Sequence, residues 1–268
     1  MKFSRKFPAI SGMVAAMRPV VPLGVGALAI LTLVLARPGG AESPKPTVPL
    51  NTAIELFTSQ GCSSCPPADE LLAELGKKPG IVALSFSVDY WNYLGWQDTL
   101  SKPAHSERQR NYARARGDGK VYTPQVVVNG LNHVNGSNEA AIEMAMRNAA
   151  ESLKHVKVPV SLHDEAGTLV IDIGAAPEKS DRREATIWLV VAKKLETVSI
   201  TRGENRGRTL SYFHPVRELM PVGMWKGEAM TLKLPLKELE TRGGDCLIAL
   251  VQVENAGPIL GIAEFERL

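Results

Sequence analysis

Ala53-Ile54-Glu55-Leu56-Phe57-Thr58-Ser59-Gln60-Gly61-Cys62-Ser63-Ser64-Cys65-Pro66-Pro67-Ala68 places two cysteines where one pattern gives way to another. Residues 53–58 form a short strand-like run, and Ser59-Gln60-Gly61 breaks it just before Cys62. After the cysteines, Pro66 and Pro67 suit the first helical positions. Ala68, Leu71, Leu72 and Leu75 then recur at i, i+3, i+4 and i+7 until Gly76 ends the helix. A strand therefore delivers the pair onto a turn at a helix N-terminus. The largely apolar run at residues 81–88 reads as a buried parallel strand, which makes a β-α-β unit, right-handed by default.

Residues 89–122 form an insertion that opens with Tyr90-Trp91-Asn92-Tyr93-Leu94-Gly95-Trp96 and continues as a polar helix around 104–116. Beyond it, Gln125-Val126-Val127-Val128 and Leu131-Asn132-His133-Val134 flank Asn129-Gly130, a hairpin signal. A further helix starts at Ser137 or Asn138, with Glu139 in its first turn. Its apolar stripe is Ile142, Ala145, Met146, Ala149 and Leu153. This order of elements resembles a thioredoxin core. The resemblance implies that Thr123-Pro124 holds the cis-proline that such proteins set opposite their cysteines.

The chain also resembles the secreted proteins of domain-of-unknown-function family 1223. The matching stretches are residues 55–68, then Val88-Asp89-Tyr90-Trp91-Asn92-Tyr93-Leu94-Gly95-Trp96, then Tyr122-Thr123-Pro124-Gln125-Val126-Val127-Val128-Asn129-Gly130. That resemblance implies a thioredoxin-like fold and assigns no reaction.

Cysteines at this spacing on a helix start suit thiol–disulfide exchange. The free N–H groups and positive end of the helix stabilise a thiolate, lowering its pKa from about 8.5 toward roughly 3.5–7.5 in such sites. Cys62 is expected to be the exposed attacking thiolate and Cys65 the resolving one. Ser63 and Ser64 can donate hydroxyl hydrogen bonds to the Cys62 sulfur. A cis Pro124 would leave the Thr123 backbone free to pair with a substrate strand. Asp89 and Trp91 follow the C-terminal end of a parallel strand, where open sheets place their sites, and belong in the substrate groove. Glu55 and Asp89 are the candidate proton acceptors for Cys65.

Competing readings are weaker. A bridge across two intervening residues closes too short a loop to staple a domain. One CxxC supplies two of the four ligands that a closed zinc site needs, so no metal is expected. His105 or His133 would complete a copper site of two thiolates and one imidazole, but neither spacing is diagnostic. Cys246 lies in the apolar run at 246–251 and reads as a buried, unreactive core thiol.

The first 41 residues contain Lys2, Arg5, Lys6, Arg18 and Arg37, no acid, and a charge-free apolar run from 20 to 36, the layout of a targeting segment. Gly39 and Ala41 suit cleavage before Glu42, which is favoured over retention as an anchor. A polar spacer at 42–50 follows, containing Pro44, Pro46 and Pro49. Either outcome puts the rest outside the cytoplasm, in the periplasm or secreted, where disulfides persist. The net charge of +3 belongs to this leader: without its five cations, 26 of the 31 Lys plus Arg remain against 28 Asp plus Glu. That slightly acidic balance argues against nucleic acid. The arginines at 108, 110, 114 and 116 read as a solvated helix face.

Texture changes near residue 156. Residues 51–155 alternate strand and helix, whereas 156–268 run strand after strand, with strands expected at 158–162, 169–173, 185–191, 198–200, 246–253 and 259–265. The expectation is an α/β thioredoxin-like domain followed by a mostly antiparallel, sandwich-like β domain. The function expected is an exported thiol–disulfide oxidoreductase acting on protein or small-molecule thiols and disulfides without a cofactor, touching a membrane only through an uncleaved leader. The alternative is a non-enzymatic binding module, such as a copper carrier.

Overall fold

A two-residue period organises the first sheet. Strand β1 (Thr52–Thr58) sends Ile54 and Leu56 to one face and Ala53, Glu55 and Phe57 to the other. Next come helix α1 (Pro66–Gly76), strand β2 (Ile81–Ser87), a 3-10 turn at Asn92–Leu94, and helix α2 (Pro103–Arg116). Strands β3 (Gln125–Val128) and β4 (Asn132–Asn135) and helix α3 (Glu139–Leu153) complete this half. The sheet order is β2-β1-β3-β4: β1 runs parallel to β2 and antiparallel to β3. The computed structural model describes residues 50–178, 180, 181 and 184–266. The leader at 1–41, its apolar run at 20–36 and the spacer at 42–49 lie outside the described residues. Among the described residues no helix is long and apolar enough to cross a membrane.

Helix α3 starts at Asn138, whose side chain accepts the Ala141 N–H at 3.0 Å. Its stripe of Ile142, Ala145, Ala149 and Leu153 is buried. With α1 it covers the Ile54 and Leu56 face of the sheet. The β3–β4 turn uses left-handed backbone at Asn129 (φ 47°) and Gly130 (φ 71°). A Cβ at Gly130 would stand 2.5 Å from the Gly257 carbonyl oxygen, so glycine is required twice over.

Residues beyond 156 form β5 (Val160–Glu165), β6 (Thr168–Ile173), β7 (Ala185–Ala192), β8 (Leu195–Ser199), β9 (Thr209–Phe213), β10 (Val216–Trp225) and β11 (Met230–Pro235). Helix α4 (Leu236–Glu240), β12 (Cys246–Val253) and β13 (Ile259–Glu266) follow. All their pairings are antiparallel, in sheets ordered β10-β7-β12-β13, β11-β6-β5 and β8-β9. The whole is a mixed α/β structure with several mostly antiparallel sheets. Strands β9, β10 and β11 were not anticipated. Strand β10 carries Pro221 and Gly223 and two register irregularities, which destroy the alternation that marks a strand in sequence.

Packing crosses the change of texture at 156. On one face the β10-β7-β12-β13 sheet packs Ile187, Leu189, Leu247 and Ala249 against Leu169 and Ile171 of β6. On the other, Val190, Ile248 and Leu250 meet Phe57, Leu84 and Phe86 of the first sheet. The β8–β9 hairpin lies on α1, where a Cβ at Gly76 would fall 2.2 Å from the Phe213 ring.

Arg108 corrects the reading of α2 as a solvated face. Its side chain is 7 % exposed, and its Nε donates to Glu55 Oε1 at 2.7 Å. The same guanidinium reaches Tyr112 Oη at 2.8 Å and Gln252 Oε1 at 3.2 Å, tying α2 to β1 and β12. A wholly apolar face could not have accommodated Glu55, so the arginine is turned inward to meet it.

Candidate functional site

Cys62 and Cys65 sit on the turn between β1 and α1, and their sulfurs are joined in a disulfide. Cys62 N–H donates to the Ser59 carbonyl at 3.1 Å and Cys65 N–H to the Cys62 carbonyl at 3.2 Å. Cys65 is the N-cap of α1, followed by Pro66 and Pro67 in the first helical positions. Neither proline carries an N–H, and the next two backbone donors, those of Ala68 and Asp69, are taken by the Cys65 carbonyl at 2.8 and 3.1 Å. Ser64 Oγ lies 3.5 Å from Cys62 Sγ, as expected of a serine in that position. The Ser63 N–H instead donates to Glu204 at 3.3 Å.

One expectation is corrected here. Cys62 is only 2 % exposed, while Ser63 and Ser64 are exposed. The turn between β8 and β9 is fastened to this segment. From within it the Asn205 amide donates to the Gln60 carbonyl at 3.0 Å and to the Cys62 carbonyl at 2.9 Å. Nothing near the CxxC in sequence announces a partner supplied from more than 140 positions away.

The aromatic insertion is bound into the same corner. A Cβ on Gly61 would stand 3.1 Å from Trp91 Cβ, and Trp91 Nε1 donates to Thr123 Oγ1 at 2.8 Å. Thr123-Pro124 is a cis peptide. Pro124 lies beside the first turn of α1: a Cβ on Gly136 would be 3.1 Å from both Pro124 Cβ and Ala68 Cβ. Trp96 Nε1 donates to Gln60 Oε1 at 2.8 Å, and Asp98 accepts the Gln60 N–H at 2.8 Å. The structure thus gathers Cys62, Cys65, Ser64, Trp91, Thr123 and Pro124.

The two candidate proton acceptors stand apart from the cysteines. Glu55 faces away from α1 and is engaged by Arg108 and Tyr112. Asp89 takes the Ser106 hydroxyl, while its own N–H donates to Ser106 Oγ at 3.1 Å.

Asp69 was missed. Four residues after Cys65 on α1, it lies on the same side of the helix, one turn below that cysteine, and its N–H donates to the Cys65 carbonyl at 3.1 Å. It is 4 % exposed, and neither carboxyl oxygen makes a hydrogen bond. Burial therefore holds its pKa well above the ordinary carboxylate value; the nearby Thr58 hydroxyl pulls the other way, and Asp98 and Glu70 push further up. Asp98 is also raised, chiefly by burial. The buried Tyr212 hydroxyl has no hydrogen-bond partner, and burial followed by Asp69 and Asp98 raises its pKa. The helical period places Asp69 beyond the edge of the Ala68, Leu71, Leu72 and Leu75 stripe, so nothing in the sequence marked it as buried.

The histidines weighed as copper ligands are engaged elsewhere. His105 Nδ1 lies 2.9 Å from the Ser87 carbonyl oxygen, and burial lowers its pKa to about 4. His133 pairs with Asp118 at 3.0 Å. Among the described residues the one group of three side chains able to share a metal ion is His214, Cys246 and Glu264.

Residues 53–252 match the family described as "protein of unknown function (DUF1223)", and the chain belongs to that family. A crystal structure of an Agrobacterium tumefaciens protein, 37 % identical, is similar over 80 % of this chain and 93 % of that one, with a TM-score of 0.71. HBP35 of Porphyromonas gingivalis, at 14 % identity and a TM-score of 0.54, is similar over 83 % of this chain and 76 % of its own, a likeness of fold alone. No curated protein sequence matches the chain.

Proposed function

We propose that this member of the family is an exported thiol–disulfide oxidoreductase built on a thioredoxin-like fold. The observation that carries the reading is the disulfide between Cys62 and Cys65 at the start of α1, with a buried, raised-pKa carboxyl one helical turn below. Supporting it are the sheet order β2-β1-β3-β4, α1 leading directly from β1, and Thr123-Pro124 entering β3 beside α1. Export rests on the basic, apolar leader of the sequence.

In the proposed cycle, a substrate thiolate attacks Cys62 Sγ. The Cys62–Cys65 bond breaks and Cys65 leaves as a thiolate, which takes a proton from Asp69. A second substrate thiolate then attacks the substrate sulfur of the mixed disulfide and releases Cys62 as a thiolate. Two electrons pass from the substrate dithiol to the chain, leaving a substrate disulfide. Run backwards, the same steps oxidise the chain and return the proton to Asp69. Trp91 and the Thr123 backbone line the approach. Because Cys62 is buried and the β8–β9 turn is fastened to its segment, the turn yields in this cycle before a substrate sulfur reaches it.

Redox titration of the purified chain, quenched by thiol alkylation and read by mass, tests this. Cys62 and Cys65 should interconvert as a two-electron pair between about −120 and −300 mV. A pair that stays oxidised across that range, or alkylates as two independent thiols, rules the proposal out.

A further inference from the structure

Far from the CxxC along the chain, three unlike side chains converge at the seam between the first sheet and the β10-β7-β12-β13 sheet. Cys246 and Glu264 come from paired strands. Cys246 stands opposite Glu266 and Ile248 opposite Glu264, so Cys246 and Glu264 are diagonal neighbours on one face. Cys246 Sγ is 3.1 Å from Glu264 Oε1. His214 enters from the tight connection between β9 and β10. Its backbone is pinned on both sides: the carbonyl accepts the Ser85 N–H at 3.1 Å, and the N–H donates to the Lys194 carbonyl at 3.2 Å. Its φ of 40° is a left-handed value rare outside glycine, here imposed by those two contacts.

The imidazole supplies an independent observation. His214 is 5 % exposed, and its Nδ1 is a buried atom with no hydrogen-bond partner, aimed at Glu264 Oε1 3.6 Å away. The Ala83 backbone lies close to the ring and favours its charged form, against the larger effect of burial. Metal-ligating histidines turn one ring nitrogen to the ion, and Nδ1 is the nitrogen left without a hydrogen-bond partner here. Ordinary packing gives no reason to bury that nitrogen unpaired.

We propose that Cys246, His214 and Glu264 form a three-ligand site for a divalent transition metal, with Zn²⁺ the best match. The three ligand atoms lie within 4.8 Å of one another. Metal–ligand bonds of about 2.0–2.3 Å in a tetrahedron separate ligand atoms by roughly 3.3–3.7 Å, so small movements bring these atoms into range. Thiolate, imidazole and carboxylate together suit zinc better than magnesium or calcium, which take oxygen alone. Glu266 is committed to Lys194 at 2.7 Å, which leaves the fourth position to solvent. Glu264, with its side chain 19 % exposed, is the way in. On binding, the Cys246 thiol loses its proton to solvent and the sulfur–metal bond forms, without change of oxidation state. The site is independent of the proposed redox chemistry, and it would clamp β12, β13 and the β9–β10 connection together over the β2 edge.

Co²⁺ titration of the chelator-stripped, oxidised chain tests this. The chain has three cysteines, so with Cys62 and Cys65 in their disulfide Cys246 is the sole free thiol. One Co²⁺ per chain should bind with thiolate-to-metal absorption in the near ultraviolet, and Zn²⁺ should displace it. Cys246→Ser should abolish the absorption. Glu264→Gln, at the partly exposed edge, should weaken binding about tenfold or more without loss of fold. The Cys62→Ser/Cys65→Ser variant should bind as the parent does. No stoichiometric binding by the folded parent, binding undiminished in Cys246→Ser, or binding lost in Cys62→Ser/Cys65→Ser overturns the proposal.

Discussion

Two buried polar clusters flank the first sheet, and they are built on opposite plans. On the α2 side, Glu55, Arg108, Tyr112 and Gln252 share a closed set of hydrogen bonds linking β1, α2 and β12. On the α1 side, Asp69, Thr58 and Tyr212 hold buried polar atoms that have no hydrogen-bond partner. Both regions carry a burial cost, but only the first offsets it with partners. A closed network has nothing left to exchange with a substrate and serves the fold. An unpaired carboxyl one turn below a disulfide is costly to the fold and is available for proton transfer.

The largest effect should follow from opening the closed cluster. Arg108→Met leaves the Glu55 carboxylate buried without its cation, which costs about 3–5 kcal/mol. The measurement is the urea midpoint, with the slope checked for two-state behaviour. The potential of the Cys62–Cys65 pair should not move in molecules that remain folded. Loss of less than about 1 kcal/mol, or a displaced potential, would erase the distinction between the clusters.

Asp69→Asn probes the other side and should reverse the sign. It should slow exchange at neutral pH by on the order of 100-fold, the usual scale for one proton-transfer group. Stability should change in a pH-dependent way. Burial raises the Asp69 pKa, so from about pH 4 upward the folded chain holds a proton there that the unfolded chain has lost. Native stability then falls as pH rises, until the folded carboxyl ionises. Asparagine removes that slope, so the variant should gain on the parent as pH increases from 4 to 8. Urea melts across that range decide it: parallel pH profiles would mean that Asp69 is not the buried acid described.

Legibility in the sequence followed how local the cause was. The start of α1, the Asn138 cap and the strands at 53–58 and 81–88 could be read because proline placement, capping and period act within a few residues. The CxxC was legible for the same reason, whereas the cis peptide at Thr123-Pro124 was expected only from the resemblance to a thioredoxin core. Arg108 was misread because its partner Glu55 is 53 positions away, and a helix face cannot declare itself solvated without knowing what packs on it. Asp69 was passed over because an acid in the first helical turn is ordinary, and the neighbours that surround it, Thr58, Asp98 and Tyr212, come from other segments of the chain. His214, Cys246 and Glu264 come from a turn and two strands, and no sequence spacing brings them together.

The smallest effect expected concerns the β8–β9 turn, and it tests whether the open cluster is also the accessible one. Asn205 joins the β8–β9 turn to the CxxC through two carbonyls, those of Gln60 and Cys62. Each such bond contributes about 1 kcal/mol net, and both are lost in Asn205→Ala. Even a shift of about 1 kcal/mol in the opening equilibrium multiplies the open population roughly fivefold. The reduced variant should therefore be alkylated at Cys62 several-fold faster than the reduced parent, with a potential unchanged within error and Asp69 still buried. Equal alkylation rates would mean that reagents already reach the sulfur past Ser63 and Ser64, so that the turn fastens the fold without gating the site. A faster rate confined to Cys62, with Cys65 still slow, would separate the attacking sulfur from the resolving one and fix the order of the exchange.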